Sequence, residues 1–174
     1  GISVKPISDI MAVAYFTYYP IVILTVIFLY RRRYGFELAN RYVAWMVMNL
    51  VVSFALYYVI PARGPHIITG RDAVLDGILL GRLLHTLVMS LELPLPDAFP
   101  SGHVMVNCAT LLFVWRYYRR LSYWYFVPVV LLVVSTVYFK YHFVIDVVAG
   151  VVLFPICCWV ADRICSRVGS VTYR

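Results

Sequence analysis

The sequence predicts an all-α fold, a polytopic membrane bundle of about five transmembrane helices with one further interfacial helix. Three observations carry that reading. Of the 174 residues, 63% are apolar and only 13% are charged, and the mean hydropathy is +0.85. Two runs, Ile10–Tyr30 and Tyr42–Ala62, contain no charged residue. Each satisfies the roughly 20 residues that a hydrocarbon layer ~30 Å thick demands of a helix. The basic residues stand at the ends of the apolar runs, where a membrane protein places them. This composition excludes an ordinary soluble domain. Five crossings at about 20 residues each consume nearly the whole length, so residues 1–174 are read as one domain.

The elements follow in order. The first run is too long for the apolar core of a signal peptide, so no cleaved leader is expected. After the second run, Asp72–Glu92 sets Leu75, Ile78, Leu79, Leu83, Val88 and Leu91 among Asp72, Asp76, Arg82 and His85. That mixture suits an interfacial or re-entrant helix. The prolines of Leu93-Pro94-Leu95-Pro96-Asp97 end it. Further spans are expected over about Ser101–Tyr118, Leu121–Phe139 and Tyr141–Ala161. One histidine falls in the third span, and a histidine and an aspartate fall in the fifth. The four cysteines, Cys108, Cys157, Cys158 and Cys165, lack CxxC spacing and are read as packing residues. His66 and His85 are read as hydrogen-bonded structural groups. The aromatic residues, Tyr15 and Tyr123 among them, are read as interfacial belt and packing with no chemical role.

Fifteen Lys and Arg against eight Asp and Glu give a net charge of +7. In a soluble chain this would suggest nucleic acid; here it sets topology, and no nucleic-acid partner is expected. Arg31, Arg32, Arg33, Arg41, Arg116, Arg119, Arg120, Arg163, Arg167 and Arg174 fall on one side, which the positive-inside bias makes cytoplasmic. Lys5, Arg63, Arg71, Arg82 and Lys140 fall on the other. Arg63, His103, Lys140 and His142 thereby share one membrane face. The expectation is an integral protein of a bacterial-type inner or plasma membrane, its site facing the extracytoplasmic side.

Two stretches carry chemistry. Pro100-Ser101-Gly102-His103 opens the third span with an early proline, a capping serine, and a glycine that permits close backbone approach. Amide groups at a helix start bind anions, so with a histidine beside them they form a candidate phosphate cradle. In Tyr141-His142-Phe143-Val144-Ile145-Asp146 the imidazole and the carboxylate are four residues apart, on one face if helical. A carboxylate there fixes the imidazole tautomer. One histidine as nucleophile, one as general acid, and cations for the phosphoryl oxygens are the parts of an attack on phosphorus.

On these motifs the chain resembles the type-2 phosphatidic acid phosphatase superfamily, whose members include lipid phosphate phosphatases, lipid phosphotransferases and soluble vanadium haloperoxidases. The Pro100–His103 tetrad matches the second motif of that family. The stretch Ser135-Thr136-Val137-Tyr138-Phe139-Lys140-Tyr141-His142, with Asp146 following, keeps the spacing of the third. The resemblance implies that His142 attacks phosphorus to form a phosphohistidine, Asp146 orients it, and His103 protonates the leaving alcohol. It further implies phosphate binding by Arg63, Lys140, Arg71, Ser101 and Gly102. Two positions depart from the phosphatase pattern: Thr136 stands where an arginine is usual, and Leu56 where the first motif has a lysine. Those departures resemble the branch that includes inositol phosphorylceramide synthase, whose acceptor is an alcohol. The usual bundle of the family has one more helix at its N-terminus.

The expected function is a membrane lipid phosphate phosphatase acting on a phosphomonoester or diphosphate lipid, with the bilayer as its medium. The alternatives are a phosphotransferase to an alcohol, or an inactive lipid-binding or transport protein. The same side chains suit a two-histidine, one-carboxylate metal site. The surrounding cations disfavour it, and no metal or cofactor is expected.

Overall fold

The computed structural model of the chain describes residues 5–32, 35–65, 83 and 98–172. Among these residues every regular element is helical: α1 (Lys5–Phe16), α2 (Tyr18–Tyr30), α3 (Gly35–Val59), α4 (Gly102–Tyr117), α5 (Arg119–Tyr138) and α6 (Val144–Thr172). Four stretches, Pro6–Tyr30, Phe36–Val59, Arg119–Tyr138 and Val144–Arg167, are long and apolar enough to cross a membrane. The protein is an integral membrane helix bundle.

The predicted first span is two helices. Pro20 has no N–H for the carbonyl of Phe16, and its ring crowds that oxygen, so the helix breaks just before it. At the break the hydroxyl of Thr17 donates to the carbonyl of Ala14 at 2.5 Å, and its amide to the carbonyl of Val13 at 3.0 Å. The bend sends α1 along α5 while α2 packs on α3. The second span begins earlier than hydropathy implies, because Glu37 and Arg41 lie inside α3. It also ends earlier, since Pro61 disfavours a helical conformation for the residue before it.

The third predicted span is α4, sixteen residues long and central to the bundle, with α2, α3, α5 and α6 packed around it. Val104, Met105, Val106, Ala109, Phe113 and Val114 are almost wholly buried. Lipid is as apolar as these side chains, so cohesion between the helices comes from close packing and polar contacts. Gly150 shows the packing: a Cβ there would stand 3.0 Å from the Ser101 carbonyl, so α6 meets the start of α4 only because the residue is glycine. Polar contacts between helices include Tyr42 Oη to Thr110 Oγ1 at 2.8 Å and Thr25 Oγ1 to Tyr125 Oη at 2.9 Å. Asp162 Oδ1 accepts from Arg41 Nε at 2.6 Å and Trp45 Nε1 at 2.7 Å, with Arg116 3.7 Å from Oδ2. That one carboxylate ties α3, α4 and α6 at the end of the bundle remote from His103. Of the interfacial helix expected over Asp72–Glu92 only residue 83 is described, and the Leu93–Asp97 break, His66, Arg71 and His85 lie outside the described residues.

Candidate active site

Ser101 caps α4: its backbone is extended, and its hydroxyl accepts from the amide of Val104 at 3.4 Å. Its own amide donates to the carbonyl of Asp146 at 3.1 Å, which pins the start of α4 to the first turn of α6. Gly102 follows with no side chain because α3 leaves no room; a Cβ would lie 2.9 Å from Tyr57 Oη and 3.3 Å from Ser53 Oγ. The Gly102 amide donates to Tyr57 Oη at 3.3 Å. The close approach that glycine permits is therefore to α3, and a helix-start amide read as an anion donor faces a tyrosine hydroxyl.

The other half of the site is set by the end of α5. There the amide of Lys140 donates to the carbonyl of Val137 and that of Tyr141 to the carbonyl of Thr136, both at 3.0 Å. This pair of bonds is a Schellman motif, in which the residue after the cap takes the left-handed conformation usually left to glycine. That residue is Lys140, with φ at 59°. The reversal delivers His142 back toward α4, and its amide also reaches the carbonyl of Thr136 at 3.2 Å.

His142 is buried and lies ahead of α6 rather than within it. Its Nδ1 is 2.8 Å from the carbonyl of Ala98. A carbonyl only accepts, so Nδ1 carries the proton and Nε2 keeps its lone pair. Asp146 Oδ2 accepts from the Phe143 amide at 2.7 Å and stands 3.9 Å from His142 Nδ1. Asp146 thus occupies the third position of α6 and reaches back to the amide of Phe143, the residue just before the helix. The sequence spacing placed both groups on one helix; the structure instead puts the imidazole on the loop, held by a backbone oxygen.

The rings of His103 and His142 are 6.1 Å apart between centroids. Two imidazoles from residues far apart in sequence are therefore neighbours at one end of the bundle. Residues 3–160 match the family described as the PAP2 superfamily.

The chain belongs to the PAP2 superfamily, the type-2 phosphatidic acid phosphatases. Membership gives the general class of activity, phosphatase or phosphotransferase chemistry on lipid phosphates. No curated protein and no solved structure matches the chain.

Of the other positions picked out by the motifs, Arg71 lies outside the described residues. Arg63 is exposed on the segment after α3. The carbonyl of its neighbour Ala62 accepts from the amide of Ala98, the residue whose own carbonyl holds His142. Lys140 lies two residues before His142. Thr136 is buried, its hydroxyl donating to the carbonyl of Val133 at 2.7 Å, so no cation enters from that position. Among the described residues no three His, Cys, Asp or Glu side chains are grouped as metal ligands.

Several contacts were invisible in the sequence. Tyr15, almost fully buried on α1, places its Oη 3.2 Å from His103 Nε2, with ring centroids 4.9 Å apart. Tyr18 packs its ring on His103 at 4.5 Å. Asn107 Nδ2 donates to the His103 carbonyl at 2.9 Å. Three positions separate Tyr15 from Tyr18, so the two are neighbours on one side of a helical stretch. That spacing was the only available signal, and the many other aromatics masked it.

Proposed function

We propose that this PAP2 protein is a lipid phosphate phosphatase that works through a phosphohistidine, its site at the extracytoplasmic boundary of the membrane. His142 Nε2 attacks phosphorus, forming an N–P bond as the P–O bond to the lipid alcohol breaks. His103, protonated, delivers its proton to the departing oxygen. Neutral His103 then takes a proton from water as the water oxygen attacks phosphorus, the N–P bond breaks, and phosphate leaves. Arg63, Lys140 and Arg71 neutralise the phosphoryl oxygens, while Ser101 and Gly102, whose amides donate to the Asp146 carbonyl and to Tyr57 Oη, fix the start of α4 that carries His103.

The observation that most supports this reading is the bond from His142 Nδ1 to the Ala98 carbonyl, with the His103 ring centroid 6.1 Å from that of His142. It leaves Nε2 as the nucleophile. The distribution of basic residues supports the side, because Arg31, Arg32, Arg41, Arg116, Arg119 and Arg120 belong to helix ends away from the histidines. A site there lets a lipid tail stay in hydrocarbon while its head group reaches the cations.

A second reading is favoured by Thr136 and Leu56, which supply no cation where phosphatases carry one. In it the acceptor is an alcohol, as in the inositol phosphorylceramide synthase branch, and the head group is transferred. The test is phosphate release from phosphatidic acid, phosphatidylglycerophosphate or a polyprenyl diphosphate in detergent with EDTA, beside His142→Ala. Release by wild type alone supports the phosphatase. Turnover only when an alcohol is added supports the transferase, and silence under both conditions supports a lipid-binding protein.

A further inference from the structure

At the end of the bundle away from the histidines, the C-terminus of α2 meets the N-terminus of α5. Arg31 and Arg32 close the first helix, and Arg119 and Arg120 open the second. They line two adjoining grooves of about 530 Å³ each, which share Phe28, Arg32 and Leu121. Among the described residues none of the four arginines is paired with a carboxylate. The positive-inside bias accounts for arginines at this end, but not for their convergence from two helices on one unpaired groove.

The local electrostatics favour an anion. The first turn of α5 contains no acidic residue, and Tyr118 gives its N-terminus no side-chain cap. Two arginines therefore sit where the helix dipole already concentrates positive charge, an arrangement that costs free energy unless a negative group approaches. The walls are preformed. Arg32 lies over the Phe28 ring at 4.5 Å, and the Thr25–Tyr125 hydrogen bond fastens α2 to α5 just inside the groove. Below the arginines, exposed Leu24 and Ile27 continue an apolar track. A cationic rim, aromatic walls and an apolar floor at a membrane boundary match a phospholipid of negative charge.

We propose that this groove docks an anionic phospholipid from the leaflet at the arginine end. Its phosphate lies among Arg31, Arg32, Arg119 and Arg120, and its acyl chains run along Leu24 and Ile27. The sixteen residues of α4 separate it from the histidines by about 24 Å, so it is a second lipid site, not the substrate pocket.

The test uses the full chain in nanodiscs of mixed phosphatidylcholine and phosphatidylglycerol, with retained lipid counted by native mass spectrometry. A photoactivatable phosphatidylglycerol reports where the lipid sits. Wild type should retain phosphatidylglycerol over phosphatidylcholine, with cross-links on Phe28, Leu121 or Trp124. Arg119→Gln with Arg120→Gln should lower that preference about tenfold or more, at roughly a factor of five per arginine. Arg119→Lys with Arg120→Lys keeps the charges that set topology and should retain most of the preference. His142→Ala should leave retention unchanged. Equal retention of both lipids by wild type, cross-links confined to Tyr15 and Tyr18, or loss of retention in His142→Ala would each overturn the proposal.

Discussion

At the arginine end of the bundle, Asp162 accepts from Arg41 and Trp45 and draws Arg116 close, so one carboxylate joins three helices. At the histidine end, Asp146 caps the backbone of its own helix and stands 3.9 Å from His142. The imidazole is held there by the Ala98 carbonyl. The first arrangement uses side-chain charge to fix the fold. The second uses main-chain groups for positioning. A carboxylate four residues from a histidine in an apolar chain is thus not automatically its hydrogen-bond partner.

Removing the imidazoles tests that contrast most sharply. His142→Ala and His103→Ala should each lower turnover by at least ~10²-fold, since they delete nucleophilic and acid catalysis. Their melting temperatures should stay near wild type, because main-chain bonds at Ser101, Lys140 and Tyr141 hold the local structure. Rates measured beside differential scanning fluorimetry decide it. Near-normal turnover in either variant breaks the assignment.

Asp162→Ala should show the opposite pattern. Loss of the carboxylate strands the Trp45 indole N–H and the Arg41 guanidinium, a cost of about 2–4 kcal/mol. The melting temperature should fall markedly, while turnover per folded molecule, measured well below that temperature, should remain within about twofold. A variant that keeps its stability and loses its rate would erase the distinction between the two ends.

The sequence exposed the fold where hydropathy alone decides it and failed where three-dimensional neighbours do. The helix centres followed from uncharged runs, and the proximity of His103 to His142 followed from the membrane face their motifs share. The start of α3 did not, because Glu37 and Arg41 lie within the helix and made its first turns look like a loop. The partner of His142 could not be read, because it is a carbonyl 44 residues away and every residue type has one. Tyr15 was hidden for another reason: its side chain is unremarkable until α1 bends at Thr17 and brings it to a histidine 88 residues distant.

Tyr15 sharpens the comparison by asking whether a side chain also positions groups at the histidine end. Tyr15→Phe keeps the ring against His103 and removes only the hydroxyl, so kcat should fall about threefold to tenfold with KM unchanged within about twofold. Tyr18→Phe, which keeps its ring contact, should be near wild type. Equal loss in kcat and thermal stability in Tyr15→Phe would make the tyrosine a packing residue.

The smallest expected effect lies at Lys140, where fold and function pull in opposite directions. A side chain at φ 59° carries a cost of about 1 kcal/mol that glycine avoids. Yet the position immediately precedes Tyr141 and His142, and the proposed mechanism assigns its cation to the phosphoryl oxygens. Lys140→Gly should therefore raise stability by roughly 0.5–1 kcal/mol while raising KM for a lipid phosphate. Lys140→Asn tolerates the same backbone without the charge, and should give the higher KM with less of the stability gain. If the glycine variant gains stability and keeps its KM, the left-handed lysine serves the turn alone, and Arg63 becomes the principal phosphate cation among the described residues.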